Sequence, residues 1–350
     1  MRAIGAAAAA LVALAAMAGC SSDDGPADPA AGGTGGTGGG DQVEVPGVLL
    51  TGDSAAVSPD GSRLAVPCDG ALCLWSTADG SLEHQWDGGG VVTWSTAGLL
   101  ATDRTEDGTV SVVVLDPATG EEVNSAEAYE VDAVQDGPGE GLLDLAFSAD
   151  GETLAGVGAD GVVRLWPLAD LSQVVEVDAD GDAPVAVAFD PDGSRLAVAS
   201  SDAAVAVHDA RTGERLDSLG GPPQGDVAWS GDGTRIATAS SALDGEAATT
   251  VWDADALDVV ATLPRAAYRL AFTPASDALV LSEKEETDVA VWTWSGDDDF
   301  VRPLSGATDV PRAVLVAPDG SQVYAVSPRD GVLAWGSSDG SVTVFDPPAE

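Results

Sequence analysis

The chain has 350 residues, of which 14 are Lys or Arg and 58 are Asp or Glu, so its formal net charge at pH 7 is −44. Hydrophobic residues make up 45% of it, which is enough to form a folded core. Binding to nucleic acid needs a basic surface that displaces counterions from phosphates. The composition therefore argues against a nucleic-acid partner.

The first residues, MRAIGAAAAALVALAAMAGC, combine a basic Arg2 with an apolar, mostly alanine run that ends at a cysteine. This pattern is typical of an export signal, and the run is too short and too weakly apolar for an uncleaved membrane anchor. Its end, Met17–Cys20, resembles the lipobox of bacterial lipoproteins, with Met where Leu is usual. The resemblance implies a signal peptide over 1–19, a lipidated Cys20, and a location on the extracytoplasmic side of the cell membrane.

Residues 21–40 contain no side chain larger than Asp or Pro and cannot form a core. We therefore predict a flexible linker over 20–42, rich in Gly, Pro and Asp, and a folded domain over 43–350.

Two further cysteines, Cys68 and Cys73, flank an Asp-Gly turn between two strand-like runs. Exported thiols meet an oxidising environment, so a disulfide across this hairpin is predicted. Two free, partly buried thiols are the alternative. A zinc site is disfavoured because no second Cys/His pair follows.

The octapeptide PDGSRLAV occurs at 59–66 and again at 191–198. Looser copies start at 149, 231 and 318, and a degraded one starts at 274, so from 149 onward the period is 40 to 44 residues. Strand-rich repeats of this length are typical of propeller blades.

The fourth blade shows the pattern most clearly. Strands are expected at 185–189, 194–200, 204–208 and 214–219, separated by turns such as Asp-Pro-Asp-Gly. Pro fixes φ and Gly permits positive φ, so the Pro-Asp-Gly unit reverses the chain between the first two strands.

Segments 145–151 with 161–166, and 227–233 with 250–253, are similar to the WD-repeat β-propeller family. The position of the family's tryptophan, near the end of each third strand, is occupied here by Trp75, Leu115, Trp166, His208, Trp252 and Trp292. The resemblance implies an all-β fold, a single β-propeller of seven four-stranded blades. Only Trp252-Asp253 spells the Trp-Asp pair and the blade-opening Gly-His is missing, so we expect little of the family's buried hydrogen-bond network.

The expected blades cover 54–88, 89–126, 142–181, 182–221, 225–265, 266–307 and 310–348. The ring closes in one of two ways. Residues 323–345 supply either strands two to four of the last blade, or strands one to three with 43–50 completing it from the N-terminus.

No pattern in the chain indicates catalysis. His208 is expected to pack in place of a strand-end tryptophan, and His84 lies in an outer strand. No P-loop, HExxH or Cys-x-x-Cys pair occurs, and we find no cluster of His, Arg or metal ligands on the inner strands. Residues 178–182 resemble half of a calcium loop but fit a solvated acidic turn better. We expect a non-enzymatic protein without cofactor or metal.

In the family, the loops between second and third strands share one face with the loops that join blades. On that face lie the longest insertion, 125–141, and the loops 103–108, 244–246 and 283–288. These predict an acidic binding face for a basic protein, a cationic ligand or divalent ions, formed by Asp103, Glu106, Asp107, Glu130, Asp132, Asp244, Glu246, Glu283, Glu285, Glu286 and Asp288. The alternative is that acidity spread over the chain only keeps it soluble.

Three hypotheses follow for function. The first is a membrane-anchored platform that binds an envelope or extracellular protein or a ligand. The second is a propeller enzyme, such as a lyase, lactonase or quinoprotein-like oxidoreductase, with its site in the central channel. The third is a structural accessory subunit.

Overall fold

A computed structural model describes residues 54–294, with gaps at 69–70, 80, 132–140, 241–247 and 284–288, and seven short strands outside that range. The described residues form strands and turns, with no helix among them.

The strands follow one another closely along the chain and are numbered in chain order. The first fourteen are β1 (Gln42–Glu44), β2 (Leu50–Thr51), β3 (Ala56–Val57), β4 (Arg63–Cys68), β5 (Ala71–Ser76), β6 (Leu82–Asp87), β7 (Val92–Trp94), β8 (Leu100–Glu106), β9 (Thr109–Asp116), β10 (Glu121–Glu130), β11 (Leu142–Phe147), β12 (Thr153–Gly158), β13 (Val163–Pro167) and β14 (Val175–Val177). The others are β15 (Pro184–Phe189), β16 (Arg195–Ser200), β17 (Ala206–Asp209), β18 (Arg215–Ser218), β19 (Gln224–Trp229), β20 (Arg235–Ser240), β21 (Thr249–Asp253), β22 (Val259–Leu263), β23 (Ala267–Phe272), β24 (Ala278–Glu283), β25 (Val289–Thr293), β26 (Phe300–Leu304), β27 (Ala313–Val316), β28 (Val323–Val326), β29 (Ala334–Trp335) and β30 (Ser341–Phe345).

Blades 2 to 6 are antiparallel sheets of four consecutive strands: β7–β10, β11–β14, β15–β18, β19–β22 and β23–β26. The first strand of each blade is innermost and the fourth is outermost. With the sheets of blades 1 and 7, they make seven antiparallel sheets, which confirm the predicted all-β propeller.

The ring closes with a strand from the N-terminus. Blade 7 runs β27, β28, β30 and then β1, which pairs Val43 with Val342. Residues 323–345 thus supply the second and third strands, and neither predicted arrangement holds in full. The remaining piece, β29, pairs instead with β2 at the edge of β4 in blade 1, which also contains β3, β5 and β6.

Apolar packing between neighbouring blades forms the core. The side chain of Trp166, fully buried, packs with Val114 of blade 2 and Leu154 of its own blade. All six predicted third-strand residues are buried opposite a Leu or Ile of the second strand, as Trp252 is opposite Ile236. His208 is among them, which confirms that it packs.

The buried hydrogen-bond network is indeed mostly missing. Trp252 Nε1–H donates to Thr238 Oγ1 at 3.0 Å. By contrast, the indole N–H groups of Trp75, Trp166 and Trp292 are buried without an acceptor in the described residues. The positions that match Thr238 are Val66, Gly156 and Leu281, none of which has a side-chain oxygen to accept the bond.

The repeated octapeptide forms the turn between the first two strands of a blade. In blade 1, Ser58 Oγ donates to Asp60 Oδ1 at 2.6 Å and accepts from the N–H of Arg63 at 3.0 Å. Asp60 Oδ1 also accepts from the hydroxyl group of Ser62 at 2.7 Å. The bonds from Ser58 and then Ser62 lower the pKa of Asp60 to about 2. Gly61 sits at φ 72°, where a side chain would be strained. The motif is therefore structural.

The insertion predicted as a loop over 125–141 begins as strand. β10 continues to Glu130, beyond the predicted end of blade 2 at 126, because Ser125–Glu130 pair with the first half of β9. Residues 132–140 lie outside the described part of the chain.

Candidate functional site

The acidic turn of blade 2 brings together three of the predicted acidic residues. Asp107 and Gly108 form the turn between β8 and β9, at φ 51° and 81°. The N–H of Val131, just after β10, donates to the C=O of Gly108 at 2.7 Å. Glu106, Asp107 and Glu130 are therefore exposed side by side. Arg104 lies beside the turn, with its Nε 4.0 Å from Glu106 Oε2.

Asp103 does not belong to this surface, which corrects the prediction. It lies within β8, and only 4% of the residue is exposed. Its Oδ1 accepts the N–H groups of Gly90 and Val91 at 2.7 and 3.0 Å, and its Oδ2 accepts that of Leu142 at 3.2 Å. Burial raises its pKa, although these three bonds oppose the shift. Asp103 joins blade 2 to blade 3.

The other predicted acidic residues cannot be placed around this turn. Glu283 ends β24, and nothing is described of its side chain. The rest lie outside the described residues, namely Asp132, Asp244, Glu246, Glu285, Glu286 and Asp288, and Cys20 does so too.

The predicted disulfide between Cys68 and Cys73 is present. Cys68 is the last residue of β4 and Cys73 the third residue of β5, and their Cα atoms lie 5.8 Å apart across the hairpin. Both are buried. The bond fixes the hairpin of blade 1 on the same face as the acidic turn of blade 2.

A cavity of about 360 Å³ lies where the first strands of all seven blades meet. Three charged side chains line it, Asp144 on β11, Asp226 on β19 and Arg269 on β23. We expected no such cluster on the inner strands. In blades 3, 5 and 6 a β-bulge near the start of the first strand, as between Leu142 and Asp144, places the third residue of the strand toward this cavity.

The two carboxylates also join blades. Asp144 Oδ2 accepts the N–H of Val187 in blade 4 at 2.9 Å, and Asp226 Oδ2 accepts the N–H of Leu270 in blade 6 at 2.8 Å. Arg269 Nη1 lies 3.6 Å from Asp226 Oδ1. Two acids against one base leave the cavity with an excess of negative charge.

Burial raises the pKa of both cavity acids. For Asp144 the pKa reaches about 6, because desolvation and the neighbouring Asp226 outweigh the attraction of Arg269. Burial raises the pKa of Asp226 as well, against the opposing charge of Arg269. The pKa of about 6 for Asp144, next to a second carboxyl group whose pKa is also raised, is the chemically distinctive feature of this cavity.

The sequence contains a signal for this cluster that was missed. Aligned on the bulge, the third residue of the first strand is Asp144 in blade 3, Ala186 in blade 4, Asp226 in blade 5 and Arg269 in blade 6. A charged residue in an otherwise apolar strand, at one fixed repeat position, marks a group facing the axis.

Within the described residues, no group of three or more His, Cys, Asp or Glu side chains is arranged to hold a metal ion. In the segment that resembles a calcium loop, Asp180 instead pairs with Arg215 at 2.7 Å. A search of the same described residues finds no helix with the length and apolar character needed to span a membrane.

Seven antiparallel sheets around a shared cavity define the chain as a β-propeller. Two parts of the chain are similar to WD40 repeats: the family model "WD domain, G-beta repeat" matches residues 132–167 and 173–209. The second match begins with the outer strand of blade 3 and ends with the third strand of blade 4, so the sequence repeat is offset from the blade.

Curated relatives match only parts of the chain. WD repeat-containing protein 1 of Rattus norvegicus is 37% identical over 83 residues, which is 22% of this chain and 13% of that protein. Protein HIR1 of Cryptococcus neoformans is 28% identical over 223 residues, 55% of this chain and 25% of that protein. The chain thus spans a quarter or less of the length of these relatives.

Solved structures match nearly the whole fold. A chain from "Crystal Structure of Mitotic Checkpoint Complex" superposes with a TM-score of 0.71 at 14% identity, covering 96% of this chain and 99% of that one. Kuenenia stuttgartiensis hydrazine synthase gives 0.68 at 16% identity, covering 86% and 97%. At such identities the likeness concerns the fold alone.

Proposed function

We propose that this protein is a non-catalytic interaction platform, anchored by a lipid on Cys20 to the extracytoplasmic side of a cell membrane. Its acidic loop face would bind a basic segment of an envelope or extracellular protein. The observation that carries the proposal is the acidic turn of blade 2, where Asp107 in the turn and Glu106 and Glu130 at the ends of their strands are exposed. Rigid strands hold these charges in place, so binding a cationic partner costs little conformational entropy.

The charge of the whole chain supports the same partner. With a net charge of −44, the protein attracts cationic proteins and repels acidic ones over roughly a Debye length, about 8 Å at physiological salt. Long-range attraction of this kind raises association rates, whereas the exposed acids of the turn determine the position at which the partner binds.

Covalent crosslinking of the full chain in membranes, followed by pull-down, tests the platform. The double variant Glu106→Lys/Glu130→Lys reverses two charges of the turn and leaves Asp107, whose positive φ resists substitution. A matched control, Glu214→Lys/Asp217→Lys, makes the same charge change on exposed positions of blade 4. We expect one stoichiometric partner that is lost in the first variant and retained in the second. Equal loss in both, or no partner at all, rejects the acidic face.

The lipid anchor has its own test. Cys20→Ser should move the protein from the membrane fraction to the soluble fraction and remove the diacylglyceryl mass from its N-terminal peptide. Cys68→Ser, which removes a cysteine of the disulfide, should leave membrane attachment intact. Membrane association that survives Cys20→Ser refutes the anchor.

A second candidate is supported by the charged groups of the central cavity. A propeller enzyme of the lyase, lactonase or quinoprotein-like kind would place its site there, and Asp144, Asp226 and Arg269 are the residues that would act. Turnover of a small substrate by the purified chain, abolished by Arg269→Gln while the fold is retained, would replace the platform proposal. Absence of turnover across these substrate classes leaves the platform in place.

A further inference from the structure

The outer end of blade 3 departs from the repeat. Its fourth strand, β14, has three residues and pairs only as far as Leu165 with Val175. Trp166 and Pro167, the last residues of β13, have no partner in the outer strand. In blade 5, by contrast, the matching Trp252 is covered by Val259.

Pro167 explains this shortened strand. In blade 5 the residue after the tryptophan is Asp253, whose Oδ1 accepts the N–H groups of Asp255 and Ala256 at 3.1 and 3.0 Å and so closes a tight turn. A proline cannot cap the turn in this way. The chain therefore takes a longer path through 168–174 before β14 begins.

Blade 2 lies across from this gap and has the longest outer strand described. β10 contains ten residues, against three to six in the outer strands of blades 1 and 3 to 6. In its register, Glu122 pairs with Leu115 and Asn124 with Val114, so Val123 is the extra residue of a bulge. Val123 is turned outward and is 56% exposed.

Together these departures leave a groove of about 630 Å³ at the outer end of blade 3, open to solvent. Its walls are largely apolar and include Val123, Leu165, Pro167, Leu168, Ala169 and Val175. A volume in this range accommodates several side chains. The groove lies on the face of the turns between third and fourth strands, opposite the acidic turn.

The rim of the groove is acidic. Glu152 and Arg211 are lining residues, and the other exposed acids next to lining positions in the chain are Glu122, Asp150, Asp170 and Glu176. Arg104 partly neutralises Glu122 through a 2.9 Å ion pair. Acids thus outnumber bases around an apolar floor.

We propose that this groove binds an extended segment of a partner protein in which apolar residues alternate with Lys or Arg. The apolar side chains enter the groove, the cations meet the acidic rim, and the backbone lies along β10, whose outer edge pairs with no strand in the described part of the chain. A row of glutamates on such an edge repels a second copy of this chain and favours a basic strand. The groove is a different surface from the acidic loop face, so the two proposals fail independently.

The experiment measures binding of a fluorescein-labelled peptide of alternating lysine and leucine to the full chain by fluorescence anisotropy. The matched probe replaces each lysine by glutamate. Val123→Lys places a cation on the wall, and its control is Val259→Lys, on an equally exposed valine of blade 5 at 54%. Ala169→Trp fills the groove from an exposed position, and its control is Ala256→Trp in the exposed turn of blade 5.

We expect the lysine peptide to bind, and Val123→Lys and Ala169→Trp each to weaken it about tenfold, while both controls stay within about twofold of the parent. The glutamate peptide should not bind. Circular dichroism and Tm establish that the variants fold. The proposal is overturned if the lysine peptide does not bind up to about 1 mM. It is also overturned if the groove variants bind as tightly as their controls, or if the glutamate peptide binds equally well.

Discussion

Replacing Asp103 by alanine should destabilise the protein strongly, although it removes a costly buried charge. The carboxylate accepts three backbone N–H groups, from Gly90, Val91 and Leu142, at 2.7, 3.0 and 3.2 Å. A buried donor left without an acceptor costs about 1–3 kcal/mol. Burial of the charged carboxylate is itself unfavourable, which is why the pKa of Asp103 is raised. Removing the side chain relieves this desolvation cost and offsets part of the loss. A net loss of about 3 kcal/mol is therefore expected.

Urea unfolding followed by tryptophan fluorescence measures this loss. Asp103→Asn should cost less than alanine, because the amide oxygen still accepts from Gly90 and Val91 while only the bond to Leu142 is lost. Glu106→Ala, whose side chain is 77% exposed, is the control and should change the free energy of unfolding by less than about 0.5 kcal/mol. If Asp103→Ala is as stable as Glu106→Ala and instead loses the partner, the residue is a surface acid as the sequence suggested, and the structural argument is wrong.

Three further predictions concern the ring. The pKa of Asp144 is about 6 in the folded state and about 3.9 in the unfolded chain. Its contribution to stability is therefore present at low pH and is lost as pH rises through 6. Asp144→Asn should flatten this part of the plot of unfolding free energy against pH, measured by urea titration. Thr238→Val removes the acceptor of the Trp252 indole N–H and should lower the free energy of unfolding by about 1–2 kcal/mol in the same assay. Cys68 and Cys73 are five positions apart, so reducing the bond between them should lower the free energy of unfolding by about 2 kcal/mol, seen as a lower Tm in a calorimetric scan. In Cys68→Ser, reductant should have no effect on Tm.

Much of the fold was predictable because the sequence repeats it. The octapeptide at 59–66 and 191–198 defines a turn and second strand in blades 1 and 4, and the buried positions from Trp75 to Trp292 follow from the same spacing. Ring closure was less predictable, since the second to fourth strands of a blade differ little in pattern. Whether β29 would pair within blade 7 or with β2 depends on contacts distant in the chain.

The candidate sites were predicted less well because their positions depend on irregularities. The spacing that placed Asp103 in a loop did not reveal that β8 and β9 are longer than usual, so the residue lies inside a strand. Asp144 and Asp226 face the cavity because a bulge shifts the register of their strands. The groove beside Pro167 exists because a proline stands where blade 5 has the turn-capping Asp253. In each case one local departure from the repeat changes where a side chain points.

The polar side chains of the ring stabilise the junctions between neighbouring blades. Apolar packing within and between blades forms the core despite the missing tryptophan hydrogen bonds, and polar side chains add hydrogen bonds at the blade junctions. Ser54 Oγ accepts the N–H of Val92 at 3.0 Å, as Asp144 and Asp226 accept from the blades that follow them. Losing a junction carboxylate therefore leaves backbone N–H groups unpaired between two blades whose apolar side chains remain packed. Because two of these carboxylates also line the central cavity, any cation that entered it would bind to the groups that keep the ring closed.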